Sequence, residues 1–345
     1  MSAESVVRVP EDILAEKVRR HLLSAGAQPH DADETTRALM HASRHGVDSH
    51  GVRLAPYYVG KIRAGRIRTA PHRVLTSTGP CTAVLDADHG LAHAASYMAM
   101  QKAMDCARVS GIGAVGVRNS NHFGAAGAYA IEAAPRGLLG LATCNAEALV
   151  SLFGGKHAFH GTNPFAFAAP VPGRKPWLMD MATSSVPFNR VMLYRALGIP
   201  LPYGVAVDAA GETTCDAQKA TCLHPLGGPE FGFKGAALAG LATLLSAVLT
   251  GAAFDPEIVP DSDPRSKEIP GNIGHFFLAI NPQHFVGQAG YETAIARYVS
   301  AVETATPVDP ARPTLVPGDR EWAEAERRRA TGIPVDPDTA RALLI

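Results

Sequence analysis

A histidine set between a strand and a helix is the sharpest chemical signal in this chain. Ser120-Asn121-His122-Phe123-Gly124 follows a run that reads as a strand and precedes one that reads as a helix. That is where α/β proteins present side chains to a ligand. An imidazole there titrates near working pH and can move a proton without further tuning. Asn121 adds a neutral donor and acceptor, and Gly124 lets the backbone turn. A turn that merely caps the next helix fits the same fragment. His50 lies in a second polar turn, Val47-Asp48-Ser49-His50-Gly51, where Ser49 can orient the ring and Gly51 admits close approach of another group. An N-cap serine beside an uninvolved histidine accounts for that turn equally well.

Asp180-Met181-Ala182-Thr183-Ser184 ends a strand in small and hydroxyl residues ahead of a helix. Backbone N–H groups and short donors at such a terminus suit a phosphate or an amide, although plain capping by Thr183 or Ser184 needs no ligand. Lys234, flanked by glycines at 232 and 235, opens a long uncharged run; it suits an anion, and snorkelling to solvent explains it as easily. Gly111-Ile112-Gly113-Ala114-Val115-Gly116 matches G-x-G-x-x-G. A dinucleotide fingerprint needs strand, turn, then helix N-terminus, and here the helix comes first and the strand second. Gly111 is therefore expected to cap a helix, and the other glycines to allow close packing. His41 with His45 and His89 with His93 have the i, i+4 spacing of metal ligands. No H-E-x-x-H pattern or completing cysteine or carboxylate accompanies them, so solvated helix faces are expected and no metal. There is no G-x-S-x-G elbow, P-loop or paired-carboxylate motif.

The elements that must hold these residues read as follows. Ile13, Leu14, Val18 and Leu22 mark a helix that Gly26 stops, and Asp31 with Glu34 forms a capping-box pattern before a second helix ending at Gly46. A third helix runs to about Ala64. Thr82–Asp86, Ala114–Val117, Leu138–Thr143, Phe165–Ala169, Trp177–Met181 and Ile273–Ile280 read as strands. Ala94–Val109, Gly127–Ala134, Val186–Leu197, Gln288–Glu303 and Arg320–Arg329 read as helices, the last polar almost all round and so exposed. Asp255–Pro270 is rich in Pro, Asp and Ser and reads as a surface excursion, and Thr304–Pro317, with four prolines, as a linker. Strands alternating with helices imply a layered α/β architecture.

Composition bounds the function. The chain has 345 residues, 32 basic against 32 acidic. Zero net charge argues against nucleic acid and anionic membrane surfaces. Five cysteines without a C-x-x-C pair suggest reduced thiols and a cytoplasmic setting, and the opening residues show no apolar signal region. Gly235–Phe254 carries no charge and is long enough to cross a bilayer. With its Ala, Gly, Ser and Thr content, a helix buried on every face in a core or subunit interface explains it better.

Taken together these fragments resemble the malate/L-lactate dehydrogenase family of the non-Rossmann type, relatives of ureidoglycolate dehydrogenase, sulfolactate dehydrogenase and piperidine-2-carboxylate reductase. The resemblance spans nearly the whole chain: Asp48–Gly51, Ser120–Gly124, Phe153-Gly154-Gly155, Gly161-Thr162-Asn163-Pro164, Asp180–Ser184, Pro225–Gly228, Phe233-Lys234-Gly235 and Val316-Pro317-Gly318. It implies an α/β fold with a central mixed-sheet nucleotide-binding domain at 76–304 and a helical domain from 1–75 with 305–345. It also implies a homodimer and NAD- or NADP-dependent interconversion of a 2-hydroxy acid and a 2-oxo acid. In one branch of the family a cyclic imine acid is reduced instead. By position, His50 and His122 become the acid/base candidates, with Ser49 beside His50. Asn145, Asp180, Met181, Ala182, Thr183, Lys234, Pro317 and Gly318 fall where relatives contact the nucleotide. Hydride transfer also needs a cation for the substrate carboxylate, and Arg53, with Asn121 nearby, is the candidate. The chain departs from the family at Leu54, where the arginine commonly stands, at Ala146-Glu147-Ala148, at Asn189-Arg190 and at Val205. Those departures put the substrate in question and leave room for a binding protein that has lost catalysis.

Overall fold

The protein, seen here as a computed structural model, is described for residues 6–345 except 261, 262 and 268. The reading of the first five residues lies outside these. A short strand β1 (Val7–Val9) leads into α1 (Glu11–Ser24), α2 (Pro29–Arg44) and α3 (Ala55–Arg63). Leu14, Val18 and Leu22 of α1 are buried as their spacing requires, whereas Ile13 faces solvent. Gly26 turns the chain with φ +99°. The expected capping box fails: α2 opens two residues before Asp31, with Pro29 in its first turn, and Asp31 is buried against Arg73 at 2.5 Å.

The central sheet uses β2 (Val74–Ser77), β3 (Thr82–Asp86), β4 (Ile112–Ser120), β5 (Leu139–Cys144), β8 (Phe165–Ala169), β9 (Trp177–Met181) and β13 (Ile273–Ile280). Their order is β2-β3-β4-β13-β5-β8-β9, and only β3 and β4 run parallel. The sheet is thus mixed. Helix α4 (Ala92–Ser110) lies across it, its Ala95, Ala99, Met100 and Ala103 buried against Val115, Val117 and Phe277. Such a sheet of small residues lets helix and strand approach closely, and Gly113 shows why. A Cβ there would collide with the Ala103 carbonyl, while Gly111 caps α4 at φ +81°. The glycine string is a packing device, as its reversed order implies.

A smaller five-stranded sheet was not legible. It joins β6 (Val150–Ser151), β7 (Ala158–His160), β10 (Ala206–Val207), β11 (Thr213–Thr214) and β12 (Cys222–Leu223), strands of two or three residues that show no periodicity. Helix α5 (Gly127–Ala130) follows β4, α6 (Phe188–Leu197) packs on the small sheet through Val191, and α7 (Gly228–Thr243) continues as a π-turn over Leu244–Val248. The uncharged run from Gly235 to Phe254 is not buried on every face. Leu238, Leu241, Leu244, Val248 and Leu249 are exposed. Gly228–Val248 is the one helix of the described residues long and apolar enough to cross a membrane, and 39% of its most apolar window is buried.

Helix α8 (Gln288–Glu303) precedes the proline-rich segment, and α9 (Asp319–Thr331), β14 (Ile333–Val335) and α10 (Pro337–Leu343) complete the chain. β14 pairs antiparallel with β1, so Ile333, Val335 and Leu343 share one apolar core with Leu14, Leu22, Tyr58 and Val59. Both ends of the chain thereby build the surroundings of α3 and of the turn before it. Helix α9 is not exposed all round, since Ala325 and Arg328 are buried.

Candidate active site

The His50 turn is made by the end of α2 meeting a tight 3-10 segment, Asp48–His50. Gly51 presses against Ser43 so closely that a Cβ would collide with its hydroxyl, and that hydroxyl accepts the Val52 N–H at 2.9 Å. Ser49 Oγ lies 2.8 Å from His50 Nδ1 and orients the ring. Burial, and then the nearby Arg53 charge, lower the His50 pKa, which favours the neutral imidazole. Arg53 itself is exposed beside this turn.

His122 faces His50. Their ring centroids are 5.7 Å apart at an interplanar angle of 27°. Tyr58 Oη lies 2.8 Å from His122 Nδ1, and burial holds the Tyr58 phenol well above its ordinary pKa, so it stays protonated. With Nδ1–H donating to the Tyr58 oxygen, Nε2 of the neutral ring is free to take a proton, and the imidazolium so formed can hand it to a carbonyl oxygen. Behind His122, His93 and His275 are fully buried, not solvated, and burial together with the neighbouring imidazoles pushes both to about 3. His275 stacks on Phe123 with centroids 4.7 Å apart, and His93 meets the Tyr58 ring edge-on at 4.8 Å. Two neutral imidazoles therefore back one partly exposed imidazole. Of the other paired histidines, His45 is also buried, bonding the His41 carbonyl, and His89 bonds the Gly271 carbonyl.

The strand end Asp180–Thr183 meets the start of α5. Asp180 Oδ2 accepts the Gly127 N–H at 2.8 Å, at the start of α5 and so just beyond the His122 loop. The crowded cleft and the charge of Glu321 raise the Asp180 carboxyl to about 6 against that hydrogen bond, although solvent still reaches the side chain. Met181 is exposed next to it. The run does not open a helix, because α6 starts only at Phe188. Instead Thr183 bonds the Thr162 carbonyl and accepts the Leu226 N–H, and Ser184 bridges Pro225. Three sequence fragments far apart in the chain thus meet here, with Ala182 among them. Gly235 of α7 packs on Leu226, which brings exposed Lys234 to the same wall, its ammonium 5.5 Å from the Phe231 ring. On the other side Pro317 accepts the Leu178 N–H at 3.0 Å, and Gly318, at φ +101°, begins α9.

Some candidates are held inside the fold. Asn121 donates its amide to the His89 and Gly90 carbonyls at 3.0 and 2.9 Å, and Asn145 spans the Ala253 carbonyl and the Gly274 N–H. Both shape the site from behind. Leu54, partly buried, packs against the terminal core and Val205 is buried in the small-sheet core, whereas Asn189 and Arg190 are exposed. Two features escaped sequence reading. Tyr58 gave only a core-helix spacing. Asp255, read as part of a surface excursion, is fully buried, and its Oδ2 accepts from His160, Gly161, Asn163 and Thr243 at 2.8–3.1 Å. Burial pushes that carboxyl up, but the hydrogen bonds outweigh it and hold the pKa down. A cavity of about 690 Å³ among α1, α2 and α9, lined in part by charged side chains, contains neither His50 nor His122.

The site's parts fit a nicotinamide nucleotide. The Asp180 carboxyl, the Lys234 ammonium and the apolar Met181 are all exposed, on segments that Thr183 and Leu226 join. Residues 9–344 match the family model described as malate/L-lactate dehydrogenase. The malate dehydrogenase of Pyrococcus abyssi is 36% identical over 96% of this chain and 92% of its own. The (2R)-3-sulfolactate dehydrogenase (NADP(+)) of Chromohalobacter salexigens is 37% identical over 76% of this chain and 78% of its own. Among solved structures, delta1-piperideine-2-carboxylate reductase from Pseudomonas syringae superposes with a TM-score of 0.86 at 29% identity, covering 98% of each chain.

Proposed function

The chain belongs to the malate/L-lactate dehydrogenase family, and from that premise we propose an NAD(P)-dependent oxidoreductase that interconverts a 2-hydroxy acid and a 2-oxo acid, with His122 and His50 as its proton-transfer pair. The face-to-face approach of these two rings, with Tyr58 on one and Ser49 on the other, carries the reading. A bound nicotinamide supplies or takes up the hydride. Asp180, Met181, Ala182 and Thr183 would hold it together with Lys234, Pro317 and Gly318, while Asn145 braces the strand end behind them. In the reducing direction His122, as the imidazolium, gives its Nε2 proton to the carbonyl oxygen and is left neutral. In the oxidising direction the neutral ring takes the hydroxyl proton on Nε2. His50, oriented by Ser49, positions the substrate oxygen, and Arg53 meets its carboxylate with a guanidinium fork. Asn121 holds the loop that presents His122.

A second substrate class, the cyclic imine acids, has support from the full-length likeness to the piperideine carboxylate reductase. One screen separates the two: NADH and NADPH oxidation with oxaloacetate, pyruvate and piperideine-2-carboxylate. Turnover of an oxo acid supports the main reading, turnover of the imine alone replaces it, and nucleotide binding without any turnover would sink both.

The exposed apolar face of α7 and its π-turn supports a homodimer, since a second copy of this chain would cover it. Residues 1–75 with 305–345 read as the helical unit and 76–304 as the nucleotide-binding and catalytic unit, which the core shared by the two chain ends supports. Five free cysteines and zero net charge support a cytoplasmic protein without nucleic-acid or membrane partners.

A further inference from the structure

Helix α9 reaches the His50 turn through one buried guanidinium. Arg328 is 6% exposed, the one buried charged side chain of this helix. Its Nη1 and Nη2 donate to Asp48 Oδ1 and Oδ2 at 2.5 and 2.8 Å, and Nη1 also donates to the Ser43 carbonyl at 2.6 Å. Its Nε donates to Glu324. Ser43 in turn binds Val52 and packs on Gly51. The segment from Asp48 to Val52 is therefore held from two sides, and Ser49-His50 lies in the middle of it.

This arrangement is costly for mere packing. Burying a guanidinium carries a desolvation cost that apolar side chains of similar volume would not. A two-pronged guanidinium fork instead fixes the direction of the carboxylate it grips. Asp48 has 49% of its side chain exposed, so the fork orients a carboxylate that packing alone does not enclose. The same helix begins at Gly318, beside the Pro317 carbonyl that receives the Leu178 N–H.

We propose that Arg328 is a positioning residue for proton transfer: by gripping Asp48 and Ser43 it holds the Ser49–His50 pair opposite His122, and α9 ties that geometry to the Pro317-Gly318 loop. The proposal rests on the placement of His50 in the active site. Rigid placement matters because a displacement of about 1 Å at reacting groups can cost about 100-fold in rate.

The test is Asp48→Asn and Arg328→Met, each made in the wild-type and in the His50→Ala background. kcat, substrate KM and nucleotide affinity are measured with the panel member that the wild type turns over, below the melting point of every variant. Asp48→Asn carries the test should Arg328→Met fail to fold, because Asp48 lies at the surface. Each single variant is expected to lower kcat about 10- to 100-fold with KM and nucleotide affinity changed far less. In the His50→Ala background neither should lower it further, because a residue acting through His50 has nothing left to position. Arg328→Lys, lacking the fork, should recover only part of the loss. An equal loss in both backgrounds, or undiminished kcat in Asp48→Asn, overturns the proposal. Full turnover in His50→Ala alone overturns the reading beneath it, and the clamp with it.

Discussion

His122 differs from the two imidazoles behind it in what it touches. His93 and His275 are sealed and neutral, whereas His122 is partly exposed and bonded to a phenol that cannot ionise at working pH. Tyr58→Phe removes that bond while keeping the ring. A hydrogen bond that strengthens as His122 becomes charged is worth about 1.5–3 kcal/mol, so kcat should fall about 10- to 100-fold. Nucleotide affinity should hold. Steady-state rates at saturating substrate check this, and an unchanged kcat would remove Tyr58 from the proton's path. The two facing histidines were legible as candidates because each sits in a polar turn whose neighbours announce it. Tyr58 was not, since a tyrosine on the inner side of a short helix reads as core, and only the fold brings it to a residue 64 positions away.

At the scale of elements, the walls of the site are joined by polar contacts that composition hides. The strands and helices with long apolar runs were readable, Thr82–Asp86 and Ile273–Ile280 to the residue. The small sheet was not, because two-residue strands have no period to detect. Asp255 stood in a run of loop-forming residues, yet one of its oxygens ties β7, α7 and the Gly161–Pro164 segment together. Asp255→Ala leaves His160 and Asn163 without that acceptor and should destabilise the protein by about 3–5 kcal/mol. Urea unfolding measures it, and a loss under about 1 kcal/mol would show the network to be dispensable. Lys234 stands on α7 as well. Lys234→Ala should weaken NADH or NADPH binding about tenfold or more, as for loss of a charge-assisted contact. Calorimetry giving wild-type affinity in a folded variant would take Lys234 out of the site.

For the whole molecule, the buried histidines set how stability depends on pH. The pKa values of His93 and His275 lie near 3 in the folded protein and near 6.5 in an unfolded chain. Between those values the unfolded state binds more protons, so stability is lost as pH falls through the window and is fully present above it. Each group contributes a slope of about 1.4 kcal/mol per pH unit. Melting temperature should therefore be level above about pH 7.5 and drop below about pH 6.5, and His275→Phe should flatten that drop. An identical slope in the variant would assign the acid sensitivity elsewhere. Assembly is tested at the same scale. Light scattering at micromolar concentration should return a dimer, with Leu241→Glu and Leu244→Glu shifting it to monomer by placing charge on the exposed face of α7. A wild-type monomer would leave that face without the proposed cover.

His122 and His50 are proposed to form one proton-transfer centre in this nicotinamide-dependent enzyme. The most direct measurement is turnover and nucleotide affinity in His122→Ala and His50→Ala, made separately. Positioned proton transfer contributes about 10²–10⁴-fold, so His122→Ala should lose turnover on that scale, with His50→Ala losing less. NADH or NADPH affinity should stay near wild type in both, since the binding contacts lie on other segments. Full turnover in both variants would contradict the account, because the proton would then come from some other group.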